Sequence, residues 1–216
     1  LAVVAPLPMV VMGLTYVVME MPGDGPFQDM VDAAARQSGL FDWVPWLGLL
    51  WFGFLIPAVI AVAAVTRRTS PRLTAVGIAL TVPGFGTGFS GPNDTLMAYL
   101  TQRDGLDVTT VGELDKALWG LPYVGVGSLL FIVGIVIGLL LLGIALARSG
   151  AVPVFFGVAL AVGGFTHPFL SPLGHVVTGL GLWVAAVGFA GASLALLRTS
   201  NDDFAPAPVG RSLSAR

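Results

Sequence analysis

Hydrophobic positions along the chain fall into long runs with polar or basic ends, and six of these runs predict membrane-crossing helices. Tyr123 to Ala147 is the clearest, an uncharged run long enough to cross about 30 Å of hydrocarbon as one helix. The other predicted spans are residues 1–19, 43–65, 73–89, 151–165 and 175–197, and the fourth in order is 123–147. Trp43 and Trp46 open the second span at the depth where indoles favour the interface, and Thr66-Arg67-Arg68 closes it. Residues 1–19 read as a retained span rather than a cleaved signal, since no basic stretch precedes the apolar run and no small-x-small site precedes Glu20. The expected fold class is therefore an all-α integral membrane protein, its six transmembrane helices arranged as three in-out-in hairpins.

Two polar segments interrupt the pattern, residues 20–42 and 90–122. In the first, Phe27, Met30, Val31 and Ala34 recur at helical spacing opposite Asp29, Asp32 and Arg36, which predicts a short amphipathic helix. In the second, Asn93 to Arg103 and Thr110 to Trp119 are further candidates, the latter opening with a Thr110-x-x-Glu113 capping box. These helices are expected to cap one face of the bundle. The last segment, 199–216, is rich in Ser, Ala and Pro without periodicity and reads as a disordered cytoplasmic tail.

Composition agrees with this pattern: 56% of residues are hydrophobic, 10% are charged, and the mean hydropathy is +0.90. Charge then orients the chain. With both termini inside, Arg67, Arg68, Arg72, Arg148, Arg198, Arg211 and Arg216 lie on the inner side and only Arg36, Arg103 and Lys116 outside, as the positive-inside rule requires. The same arrangement leaves about -7 outside and +5 inside. The expected location is a cell membrane, with cytoplasmic termini and acidic outer loops. A shift of 80 residues lays Gly77, Ala79, Leu80 and Gly84 on Gly157, Ala159, Leu160 and Gly164, a weak sign of repeated hairpins.

Candidate chemistry is sparse. No cysteine is present, so disulfides and thiolate sites are excluded, and no basic run suits nucleic acid. No Asp, Glu, Lys or Arg lies mid-span, which argues against a pump built on a buried carboxylate. Gly86-Thr87-Gly88-Phe89-Ser90-Gly91 has the G-x-G-x-x-G form but follows a membrane helix instead of a strand, and reads as a close-packed turn. Small residues such as Gly134 and Gly138 suit helix packing, within one bundle or with a second copy.

The two histidines, His167 and His175, flank the last outer turn and are the sharpest chemical signal. With a carboxylate such as Asp94, Glu20 or Asp24 they suit a divalent metal, and as a pair they suit haem iron. The competing reading is a pair of interfacial histidines bonded to backbone or water. No catalytic set can be assembled. The expectation is a non-enzymatic protein that binds or passes a small, lipid-like or neutral ligand in a cavity under the acidic cap, with Trp46, Pro57, Thr81, Phe85, Asp94 and Phe165 as lining candidates. Expected partners are the lipid bilayer and that ligand, with a homo-oligomer or larger membrane complex as a further role. The alternatives are a metal or haem enzyme using the histidine pair, and an accessory subunit of a larger complex.

Overall fold

The structure, a computed structural model, describes residues 4–20, 25–88 and 90–199, and within them it is helical without strands. Asp24 and nearly all of the tail, residues 200–216, lie outside the described residues. Helix α1 is Leu7–Val18, α2 is Phe27–Arg36, α3 is Ser38–Phe41, α4 is Val44–Thr66 and α5 is Pro71–Thr87. Helices α6 (Asp94–Asp104) and α7 (Val108–Trp119) follow. Helices α8 (Pro122–Val133) and α9 (Leu139–Arg148) are continuous through a π-helical turn at Gly134–Gly138. Helices α10 (Val154–Leu170) and α11 (His175–Arg198) complete the order.

Among the described residues, four segments are long and apolar enough to cross a bilayer: Ser38–Thr66, Pro122–Arg148, Val154–Leu173 and His175–Arg198. Their outward side chains are apolar, as in Leu49, Leu129, Phe155 and Leu180, which suits lipid and not water. Helices α1, at 12 residues, and α5, at 17, are shorter. These apolar helices follow one another around a ring in chain order, with α11 closing against α1 and α4 also touching α9 and α11.

Glycine sets the closest seams. Gly84 and Gly134 bring α5 and the π turn into backbone contact, so a Cβ on Gly84 would lie 2.7 Å from the Gly134 Cα. Gly77, on the same face of α5, meets Leu142 of α9. Its counterpart under the 80-residue shift, Gly157 of α10, meets Gly143 and Ala147 of the same helix from another side. Gly163 against Ala185, and Gly188 against Leu160, join α10 to α11. The small-residue stripes thus pack against other helices of the same chain.

The cap forms a second, smaller core in which Met19, Ala33, Ala34, Phe41, Val44 and Tyr99 are buried. Helix α2 buries Val31, Ala33 and Ala34 and leaves Asp29, Asp32 and Arg36 exposed, as the spacing predicts. Asn93 caps α6 by accepting from Leu96 N at 3.0 Å, and Gly105 ends it in the left-handed region at φ 66°.

Two local expectations are corrected. The N-cap of α7 is Asp107, whose carboxylate accepts from Thr110 N at 2.8 Å, so the helix starts at Val108 ahead of the Thr110 box. Helix α10 also begins later and ends later than the 151–165 reading. Gly150 takes the turn at φ 68°, and the helix runs through Pro168, whose ring removes one N–H without stopping the turns around it. His167 therefore lies on the last turns of a helix, and the reversal falls at Ser171–Leu173 and Gly174.

Candidate functional site

A cavity of about 470 Å³ lies where the cap meets the bundle. Helix α1 contributes Met12, Thr15 and Tyr16, α4 contributes Trp51 and Phe52, and α8 contributes Phe131. His167 comes from the end of α10 and His175 from the start of α11, and Gly91 to Thr95 at the start of α6 form a further wall. The chain reverses direction between these helices, so their cap-side ends converge, and residues distant in sequence share one space.

Tyr16 joins the two histidines through different atoms. Its hydroxyl lies 3.3 Å from His167 Nε2, and its carbonyl oxygen accepts from His175 Nδ1 at 2.8 Å. A carbonyl can only accept, so the Nδ1 of His175 carries the proton, and in the neutral ring Nε2 keeps a lone pair. The His167 ring stands edge-on to Tyr16 at 5.9 Å between centroids and to Phe131 at 6.0 Å. Aromatic edges therefore fix its orientation on two sides.

Two threonine hydroxyls of the lining are already engaged, whereas one indole is not. The Thr15 hydroxyl donates to Val11 O at 2.9 Å and that of Thr178 to Gly174 O at 3.0 Å, both within their own helices. The Trp51 indole N–H is buried with no acceptor among the described residues, a costly state for a donor in an apolar setting. Its ring packs on Phe52 at 4.2 Å.

Asp94, the first residue of α6, accepts from the Trp119 indole N–H at 3.0 Å. Burial raises its carboxyl to about 6, the neighbouring Asp115 carboxylate pushes the same way, and the Trp119 hydrogen bond pulls back. Asp94 thus titrates well above an ordinary aspartate.

The residues named from sequence divide clearly by place. Asp94, His167 and His175 line the cavity. Phe85 is fully buried one layer behind it, 6.3 Å from the Phe131 ring that does line it. Thr81 is buried at the seam between α5 and the π turn, where its hydroxyl faces Gly134 O at 3.4 Å. Pro57 lies inside α4, a turn or more beyond Trp51 and away from the lining. Trp46 and Phe165 point outward, 63% and 38% exposed.

No three His, Asp or Glu side chains among the described residues are grouped to hold an ion. Glu20 instead pairs with Arg36 at 2.8 Å, and Asp94 is engaged by Trp119. Tyr16, Trp51, Phe131, Asp115 and Trp119 are the site residues that sequence reasoning missed. Trp51 carried a signal, since an indole in the body of a span departs from the interfacial preference of tryptophan, and Tyr16 is the tyrosine of the first apolar run. Neither a protein-family model, nor a curated protein, nor a solved structure matches this chain.

Proposed function

We propose that the chain is a six-span membrane protein, with both termini on the inner side, that binds or passes a small neutral or lipid-like molecule in the cavity beneath an acidic outer cap. The cavity carries this reading: its volume of about 470 Å³ falls in the range of small-molecule sites, roughly 300–1,000 Å³. Its lining combines apolar side chains, from Met12, Trp51, Phe52 and Phe131, with polar groups from Tyr16, His167, His175 and Asp94. Such a lining accepts the apolar part of a guest and offers hydrogen bonds to its polar part. Helix α5, at 17 residues or about 26 Å, is close to bilayer length and supplies a fifth crossing, and α1 supplies the sixth. The excess of arginine on the inner loops supports the orientation.

Gly48 provides the test, because it lines the cavity and a Cβ added there would meet nothing within 4 Å, which leaves a larger side chain free to extend into the space. Gly48→Phe should fill the space without disturbing the bundle. Native mass spectrometry of the detergent-purified protein should show a bound lipid or small organic mass on the wild type and its loss in Gly48→Phe. A wild type that is empty, a variant that retains the same mass, or about one metal or haem per chain would overturn the reading.

A further inference from the structure

Helix α7 is held in an unusual way. None of its twelve described residues is buried, although Gly112 packs on Phe27 of α2. Its half-buried positions, Val108, Val111, Gly112, Asp115 and Leu118, mark one inward face, and that face carries a carboxylate. Asp115 Oδ1 is out of water and has no hydrogen-bond donor among the described residues. The neighbour within hydrogen-bonding reach is the carboxyl of Asp94, itself an acceptor when ionised. Two carboxylates facing each other repel, whereas one proton between them satisfies the orphaned oxygen and joins the helices.

We propose that Asp94 and Asp115 form a proton-operated latch, in which one shared proton holds α7 against the 91–95 wall of the cavity and its loss releases them. The proton sits on the Asp94 carboxyl and is donated to Asp115 Oδ1. Trp119 reinforces the closed form, since its ring packs on Gly91, where a Cβ would lie 3.1 Å away, and its N–H donates to Asp94. The latch therefore acts on the wall through the first turn of α6.

Other charged groups on the packed elements are engaged elsewhere or exposed. On α2, Arg36 pairs with Glu20, Asp32 accepts from Gln28, and Asp29 is exposed. Asp42, just before α4, accepts from Tyr99 of α6. Arg103 and Asp104 pair with each other at the far end of α6, and Glu113 and Lys116 on α7 are exposed, as is Tyr123 on α8. His167 and His175 share the cavity but are bonded to Tyr16. The groups that act on Asp94 are Asp115 and the Trp119 indole.

Hydrogen–deuterium exchange on the full chain in lipid nanodiscs tests the latch without any ligand, so it stands or falls separately from the binding reading. Asp94 is about one-tenth ionised at pH 5 and almost wholly ionised at pH 8. Peptides covering 90–99 and 107–119 should therefore exchange up to about tenfold faster at pH 8, after correction for intrinsic rates. Asp115→Asn, whose amide can donate to Asp94 at any pH, should stay protected at both. Asp94→Asn should behave alike, and serves if the first variant does not fold. Exchange independent of pH in the wild type, or a pH response that survives in the asparagine variants, overturns the proposal. Protection restored at pH 8 by 1 mM calcium also overturns it, since the pair would then be a cation site.

Discussion

Replacing Gly84 by alanine tests whether the seam between α5 and the π turn is set by backbone contact. A Cβ there would sit 2.7 Å from the Gly134 Cα and 2.9 Å from the Leu130 carbonyl oxygen. Ordinary carbon contacts need about 3.5–4.0 Å, so the helices would have to part by about 1 Å, and neither obstacle is a side chain able to rotate away. Parting strips contact from Gly77 with Leu142 and lengthens the already long approach of the Thr81 hydroxyl to Gly134 O. Overpacking of this kind costs about 1–3 kcal/mol, and the gain in helix propensity returns about 0.5–1 kcal/mol. Gly86 supplies the control on the same helix, because a Cβ there meets nothing within 4 Å. Gly86→Ala should be neutral or slightly stabilising, while Gly84→Ala should lower the thermal midpoint in detergent by several degrees, at about 2–4 °C per kcal/mol. Adding Gly134→Ala to Gly84→Ala should cost less than the sum of the two, since the gap is already open. Equal midpoints for Gly84→Ala and Gly86→Ala would refute the contact argument.

Three further outcomes are expected. Tyr16→Phe removes the hydroxyl facing His167 but leaves the carbonyl that accepts from His175, so stability should fall by about 0.5 kcal/mol for a bond of 3.3 Å, and of the two histidine ring signals in ¹⁵N-labelled protein only that of His167 should shift. Folded Asp94 holds its proton up to about 6, against 3.8 for a free side chain, so stability should fall as pH rises through that window and level off above it. The full shift corresponds to about 3 kcal/mol; partial exposure reduces the expectation to about 1 kcal/mol, and Asp94→Asn should flatten that part of the denaturation profile. Arg36→Ala should change the unfolding midpoint by no more than the equivalent of about 0.5 kcal/mol, because its partner Glu20 and the arginine itself are half exposed.

The helices were legible because their limits are written locally. Arg67 and Arg148 stop apolar runs where charge must leave the hydrocarbon, and Asn93 marks a helix start through its own side chain, whereas the α7 start was read at Thr110 because the capping-box pattern there masked the aspartate cap at Asp107. The α2 face was readable from the alternation of Val31 and Ala34 with Asp29 and Asp32. The end of α10 was misread since His-Pro has the form of a turn, and only packing shows that the helix continues past Pro168. The cavity was half legible: a histidine pair and an aspartate signal themselves, but the partner that joins the histidines lies more than 150 residues away on α1. Asp115 was hidden among the acidic residues of a solvent-facing segment, because its inward direction depends on where α7 lies against α2 and α6.

The backbone contact of Gly84 with Gly134 also constrains how the molecule can move. Two helices that touch main chain to main chain have no layer of side chains between them to slide or compress, so α5 and the α8–α9 rod behave as a single stiff panel. The comparable seam of Gly143 with Gly157 extends that panel to α10, and those of Gly163 with Ala185 and Gly188 with Leu160 carry it on to α11. Helix α1 is tied to α11 in the same way, since a Cβ on Gly179 would lie 2.6 Å from the Gly13 carbonyl oxygen, so flexing is left to α4, whose Gly48 and Gly53 make no such approach and whose Trp51 and Phe52 face the cavity. On the binding function proposed above, a guest would enter by deforming one edge of an otherwise rigid box, and the rate of entry would be governed by α4.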